Sequence, residues 1–443
     1  MDKLVLQGGQ RLRGDLYVGG SKNTALPLMA AALLAPGKTT LHNMPVLKDV
    51  HTFANVLRVS GAGVVYKPDD DPNTPDSMVI DATQITHPEA PYELVSKMRA
   101  SFYMLGALLG RCGEARVSLP GGCAWGPRPV DLHMKGMEAL GAELDLDMGY
   151  VVAKAPGGRL KGGDFTFEPV SVGATINVML AAVTAEGVST LSNVAQEPDV
   201  VVFGEMLQAM GAKIEGLGTD TLVITGVEDM QPVEFSNCPD RIEAGTYMIA
   251  AAMAAEPGDT VTLHHVNPDH LGPVFLKAFE ETGTPFEIDG DIVRVTAPET
   301  IKPVSVETAP YPGFATDLQA QWTVFMTQAD GSSEVVDTIY ADRFKHIPEL
   351  GRMGATCIVH GNKVVIQGLK DGKKLQGATV MSTDLRASVS LVMAGMVAEG
   401  ETHVLRVYHL DRGYENLEGK LQGAGIEIHR ADDEEVPVAE ADA

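Results

Sequence analysis

The sequence predicts an α/β protein built from six copies of one unit, three to each of two domains. Three observations carry that prediction. A glycine that ends an apolar stretch and opens a β-rich run recurs at Gly37, Gly113, Gly187, Gly258, Gly331 and Gly400, at intervals of 69 to 76 residues. A second glycine follows each of these by 23 to 28 residues, at Gly61, Gly141, Gly211, Gly283, Gly354 and Gly423. A residue type suited to starting a helix precedes each first glycine by 15 to 18 residues: Ser21, Ser96, Ser171, Asp240, Thr316 and Thr383. A glycine after a helix is common by itself, but two series that keep phase through six copies are not chance.

Within each unit the elements follow from local pattern. Between start and first glycine lie stretches such as Thr175 to Ala185 and Ser388 to Val397, apolar nearly all round, which predicts a fully buried helix. Short β-like runs follow, as at Thr260 to His264 and Lys363 to Gln367, so the unit reads helix, strand, helix, strand, strand. Six units of about 70 residues exceed one core, hence two domains of three. If three units close around an axis, their buried helices run parallel with all N-termini at one end. Unpaired N–H groups and helix dipoles make that end an anion site.

Charge sharpens the expectation. With 34 basic and 59 acidic residues the net charge is −25, which repels nucleic acid and anionic membrane surfaces and requires that any anionic ligand be held by a local basic cluster. The N-terminus lacks a basic start followed by an apolar core, and no apolar run approaches the ~20 residues of a membrane span, so a cytoplasmic protein is expected. Four cysteines without a CxxC pair argue against a disulfide scaffold and a zinc site. The histidines show no metal-ligand spacing and no nucleotide-binding glycine motif occurs, so neither metal nor cofactor is expected. Residues 431–443, with six acids and no base, read as a solvated tail.

Lys22, Arg99, Arg241 and Arg386 stand at four of the six helix starts, where the dipole disfavours bases. One such base is readily explained by solvation or a carboxylate partner, with Asp240 and Asp384 as local candidates; four together point to a bound anion. Residues 120–129 hold three Gly and three Pro around Cys123, Trp125 and Arg128 and form neither helix nor strand. Such a loop presents Cys123 to solvent, where a neighbouring base favours thiolate. Cys112, Cys238 and Cys357 adjoin or occupy regular elements and read as inert. Asp317 opens the fifth helix, a place that capping alone explains. Arg343 and Arg412 each follow a β-like run and an Asp, from which a strand-end base reaches a ligand; a surface Asp–Arg pair is the competing reading.

Nine segments in order carry a family resemblance: GSKNTALP (20–27), MRASFYMLG (98–106), LPGGCAWGPRPVDLH (119–133), SVGAT (171–175), PDRIEAGT (239–246), TDLQAQ (316–321), RFKHIPEL (343–350), TDLRAS (383–388) and YHLDRGYE (408–415). From Leu4 to about Arg430 the chain resembles the UDP-N-acetylglucosamine 1-carboxyvinyltransferase family of enolpyruvyl transferases. The resemblance implies a two-domain inverted α/β barrel-like fold of six βαβαββ repeats, with pseudo-threefold symmetry and an interdomain cleft. Domains are then expected at 21–237, carrying Cys123 on a lid loop, and at 1–20 with 238–430.

It also implies the reaction. The 3′-hydroxyl of UDP-N-acetylglucosamine adds to C2 of phosphoenolpyruvate, and phosphate leaves through a tetrahedral ketal, the first committed step of peptidoglycan synthesis and the step that fosfomycin blocks. Cys123 matches the acid that protonates C3, and Asp317 the carboxylate near the acceptor hydroxyl. Lys22, Arg128, Arg343, Arg386 and Arg412 match the cations for phosphoenolpyruvate. The UDP-sugar residues carry over to Asn23, Arg99, Arg128, Pro129, Val130, Asp131, Leu132, Ser171, Val172, Gly173 and Ile339. Glu197, Asp240 and Asp384 match polar positions of the family. Where many members have a Lys two residues before the Ser of SVGAT, this chain has Pro169. Competing readings are transfer to shikimate 3-phosphate, a non-catalytic six-unit ring, and a regulatory paralogue.

Overall fold

The computed structural model describes residues 2–67, 76–96, 98–120, 130–369 and 373–432. Cys123, Arg128 and Pro129, and the acidic stretch from residue 433 onward, lie outside the described residues. The chain divides into two compact units. The first comprises Val18–Arg241 with Pro310–Pro312; the second comprises Met1–Tyr17, Ile242–Ala309 and Gly313–Ala443.

Each unit contains three four-stranded sheets of one pattern. In the first unit, for example, Asp164–Thr166 pairs in parallel with Val188–Ser192, and Thr221–Thr225 pairs antiparallel with both Val188–Ser192 and Lys213–Glu215. A parallel pair needs a crossover, and the buried helix Val172–Ala182 supplies it. The repeat is therefore strand, helix, strand, helix, strand, strand, one strand more than the helix-first reading of the sequence, because the short leading strands are too brief to show a period.

Two leading strands are exchanged along the chain. Gly14–Tyr17 directly precedes the helix Lys22–Ala31 in sequence, yet pairs with Thr260–His264 in the second unit. The strand parallel to Lys38–His42 is Glu234–Ser236, which comes just before the helix that begins at Arg241. The N-terminal strand Asp2–Gln7 likewise completes the last repeat, pairing with Glu401–Leu405 on one side and Ile428–Asp432 on the other. That pairing carries Ala431 and Asp432, expected in the solvated tail, into a sheet opposite Lys3 and Asp2.

The crossover helices are buried nearly all round. Every residue from Ala174 to Ala182, and all of Gln319–Thr327, is buried. The two threonines of the latter are satisfied locally: the Thr323 and Thr327 hydroxyls donate to the carbonyls of Gln319 and Val324. Around it the second unit concentrates aromatic rings, with Phe275, Phe314, Trp322 and Phe325 packed at centroid distances of 5.3 to 6.3 Å where they meet. In the first unit Gly106 sets the approach of two buried helices, since a Cβ there would lie 2.1 Å from the Asn177 carbonyl oxygen.

Three local expectations need correction. Ser96 closes the short helix Tyr92–Val95, and the buried helix begins only at Met104, after the 3-10 turn Arg99–Tyr103. Asp384, not Thr383, caps Leu385–Val397, because its carboxylate accepts from the Arg386 and Ala387 amides. Gly423 is the last helical residue of Leu417–Gly423; the left-handed turn falls at Gly425, with φ 89°.

Candidate functional site

In the first unit, the helix Lys22–Ala31 starts at Ser21, whose Oγ accepts from the Thr24 amide. That cap is tied down by a buried carboxylate: Asp199 accepts from the Ser21 hydroxyl at 3.0 Å and the Thr24 hydroxyl at 2.7 Å. Its second oxygen accepts from Arg241 Nε at 3.3 Å. Lys22 Nζ lies 3.5 Å from Asp49 Oδ2, both side chains largely covered, and the Lys22 amide donates to Asp240 at 3.4 Å. Asn23 occupies the first turn of the same helix, half-buried.

Arg99 opens its 3-10 turn, and Val130 precedes the helix Asp131–Ala139, whose first residue pairs with Lys135 at 3.4 Å. Leu132 is half-buried on that helix. Ser171 caps Val172–Ala182 by accepting from the Ala174 amide, leaving Val172 and Gly173 in the first turn. Glu197 precedes Pro198–Ala209; burial raises its pKa, against the amides, Tyr311's among them, that donate to it.

In the second unit Asp317 is the centre of a charged cluster. Its two oxygens accept from Arg343 Nη2 at 2.7 Å and Arg386 Nη2 at 3.1 Å. Burial by itself raises a carboxyl pKa, but the Arg386 and Arg343 guanidiniums outweigh it and hold Asp317 well below the carboxylate range. Its side chain is 28% exposed, whereas Arg386 is 3% exposed, so the cluster presents its carboxylate edge outward. Asp317 thus does not cap its helix, which starts at Thr316 with Ala315 at the cap position and no side-chain bond there. Arg343 pairs with Asp317 and not with Asp342, the surface pair the sequence allowed.

Arg386 also donates to the Tyr414 hydroxyl at 3.3 Å, and Gln321 Nε2 donates to Thr246, Tyr414 and the Asp317 carbonyl. Ile339 sits on a turn held by the buried Asp337, which accepts from the Ile339 and Tyr340 amides and from the Thr308 and Thr316 hydroxyls. Arg412 ends the 3-10 helix Val407–Arg412; burial first, then the Arg412 charge, lowers the pKa of His409. Asp411 pairs with Arg430, not with its neighbour Arg412.

Three of the four bases expected at the helix starts, Lys22, Arg241 and Arg386, therefore have carboxylate partners that the sequence reading missed, namely Asp49, Asp199 and Asp317. Of the partners it named, Asp240 accepts from the Lys22 amide and Asp384 from the Arg386 and Ala387 amides. A signal existed: Asp49 and Asp199 each follow by six residues an asparagine held at φ 54°, Asn43 and Asn193, so they are repeat equivalents. The three described thiols are unreactive by environment. Burial raises the Cys112 pKa and pushes Cys238 and Cys357 up to about 12. Among the described residues no group of His, Cys, Asp and Glu is placed to hold a metal ion, and no helix is long and apolar enough to cross a membrane.

Comparisons with known proteins bear on this architecture directly. The family model for EPSP synthase (3-phosphoshikimate 1-carboxyvinyltransferase) matches residues 6–421. A UDP-N-acetylglucosamine 1-carboxyvinyltransferase of Chloroherpeton thalassium is 51% identical, over 97% of each chain. The protein of the same name from Chlorobium chlorochromatii is 50% identical, over 97% of this chain and 99% of that one. Among solved structures, the enolpyruvyl transferase NikO of Streptomyces tendae superposes with TM-score 0.84 at 25% identity, covering 97% of this chain and 98% of that one. An EPSP synthase of Acinetobacter baumannii gives 0.75 at 18% identity over 97% and 99%, a likeness of fold. The six-sheet architecture, the family model spanning nearly the whole chain and relatives of half-identical sequence together establish that this chain belongs to the EPSP synthase family of enolpyruvyl (carboxyvinyl) transferases.

Proposed function

We propose that the protein transfers the enolpyruvyl group of phosphoenolpyruvate to the 3′-hydroxyl of UDP-N-acetylglucosamine, releasing phosphate. The observation that carries this reading is the 48 to 51% identity, over 97% of the chain, to enzymes named for that acceptor. The shikimate reading draws on a family model of broader scope and on structures only 17 to 18% identical. In this reading the enzyme works in the cytoplasm at the first committed step of peptidoglycan synthesis.

The chemistry assigns roles as follows. Addition forms a C2–oxygen bond while C3 gains a proton; elimination removes a C3 proton and expels phosphate, restoring the double bond. Cys123 delivers the C3 proton, which requires a thiol at that stage. Lys22, Arg128, Arg343, Arg386 and Arg412 hold the phosphate and carboxylate of the donor. Asp317 takes the hydroxyl proton.

The charged cluster adds a condition to that last role. A carboxylate bound to two guanidiniums is a poor base, because both stabilise its ionised form. When donor anions engage Arg343 and Arg386, those cations are shared and the basicity of Asp317 rises. Donor binding thereby primes the carboxylate. Phosphate release from phosphoenolpyruvate, measured with UDP-N-acetylglucosamine and with shikimate 3-phosphate, tests the proposal: release dependent on the first supports it, and release dependent on the second overturns it.

A further inference from the structure

His133 lies on the helix Asp131–Ala139 with only 3% of its surface exposed, its ring edge-on to Phe102 at 5.3 Å. Its Nδ1 accepts from Asn177 Nδ2 at 2.9 Å. The orientation of that amide is fixed from both ends, since Asn177 Oδ1 accepts from the Gly106 amide at 2.8 Å and Nδ2 donates its other hydrogen to the Phe102 carbonyl at 2.9 Å. Nδ1 of His133 therefore carries the lone pair, and the proton of the neutral ring sits on Nε2. That buried nitrogen has no hydrogen-bond partner.

Nε2 faces the start of the eleven-residue helix Val172–Ala182. A Cβ built on Gly173 would lie 3.5 Å from Nε2 and 3.4 Å from Cε1 of the ring. At this terminus Ser171 Oγ takes the Ala174 amide and the Ser171 carbonyl takes Thr175, so the Val172 and Gly173 amides are first-turn donors outside the helical ladder. A buried imidazole donor thus lies beside a helix terminus that carries two main-chain donors, against a residue without a side chain. The segment Glu168–Val170 that leads into the helix carries no base. Helix N-termini bind phosphate through uncharged main-chain donors of this kind.

We propose that His133 is a further binding residue for the acceptor, donating its Nε2 hydrogen to a diphosphate oxygen held at the Val172–Gly173 helix terminus. This rests on the UDP-sugar reading above and deepens it: Asn177 sets the tautomer, and Gly173 makes the room.

Steady-state kinetics of the full-length enzyme test it, with UDP-N-acetylglucosamine and phosphoenolpyruvate varied separately. His133→Asn keeps a polar group toward Asn177 but loses the donor; the KM for UDP-N-acetylglucosamine should rise about tenfold, the value of one hydrogen bond of about 1.4 kcal/mol. The KM for phosphoenolpyruvate should stay within about twofold. His133→Gln places an amide N–H near the Nε2 position and should recover most of the loss. Gly173→Ala, which the helix tolerates in ordinary contact, fills the gap; it should raise the same KM with the melting temperature held, and it decides the matter if His133→Asn does not fold. An unchanged acceptor KM in these variants, or an equal rise in both KM values, overturns the assignment while leaving the reaction intact. A parent enzyme that does not turn over UDP-N-acetylglucosamine overturns the reaction reading and this assignment with it.

Discussion

Replacing Asp317 with Asn separates its chemical role from its structural one. The carboxylate binds Arg343 and Arg386 at 2.7 and 3.1 Å, so its loss removes both ion pairs and the proton acceptor together. Breaking a fully buried pair costs about 3 to 5 kcal/mol. Asp317 is 28% exposed and Asn retains one acceptor oxygen, which reduces the expected loss to about 1 to 2 kcal/mol. The two guanidiniums, freed of their counter-charge, should hold phosphoenolpyruvate at least as well as before. Removal of a general base costs roughly 10²- to 10⁴-fold. The expected signature is thus a kcat lowered at least a hundredfold, about 2.7 kcal/mol of barrier, with an unchanged or lowered KM for phosphoenolpyruvate. Because the folded-state pKa of Asp317 is depressed, its stabilising contribution is present above the unfolded value near pH 4 and lost as pH falls below that. The stability gap between wild type and variant should therefore close in acid. Phosphate-release kinetics and thermal unfolding at several pH values measure all three. A kcat within a few-fold of wild type would refute the assignment of Asp317 as the base.

Other outcomes follow from the same structure. Because burial keeps Cys112, Cys238 and Cys357 protonated near neutrality, the epoxide fosfomycin should alkylate Cys123 alone, faster with UDP-N-acetylglucosamine present, as peptide mass spectrometry would show; labelling at another cysteine contradicts this. Burial lowers His133 to about 3 and His346 to about 4, so the unfolded chain takes up protons below pH 6.5 that the folded chain does not. Each should cost about 2 kcal/mol of stability between pH 6.5 and 5, and His346→Gln should flatten denaturant-derived stability over that range; an unaltered slope would count against a buried neutral ring. Asp199→Ala leaves the Ser21 and Thr24 hydroxyls and Arg241 without their shared acceptor, and should lower stability by about 3 kcal/mol, read from urea unfolding, against a loss under 1 kcal/mol if the hub is dispensable.

The sequence by itself determined the number of repeats and, apart from their short leading strands, the elements in them. Glycine phase, polar helix starts and helices apolar all round are local signals, set by backbone conformation and by period, and Ser21 and Ser171 cap where they were expected to. Where two local signals compete, packing chose: Ser96 and Ser101 both suit a helix start, yet Ser101 is buried within a 3-10 turn and the helix begins beyond it. Only the tertiary structure decided which strand of each exchanged pair joins which sheet, because strand pairing is a contact between distant segments that leaves no mark on either alone. The same holds for the site. The bases were legible as misplaced charges, but their partners Asp49, Asp199 and Asp317, and the Asn177 amide that fixes the His133 proton, are defined by distances across the folded unit, and a charge acquires its pKa only from what lies within a few ångströms of it.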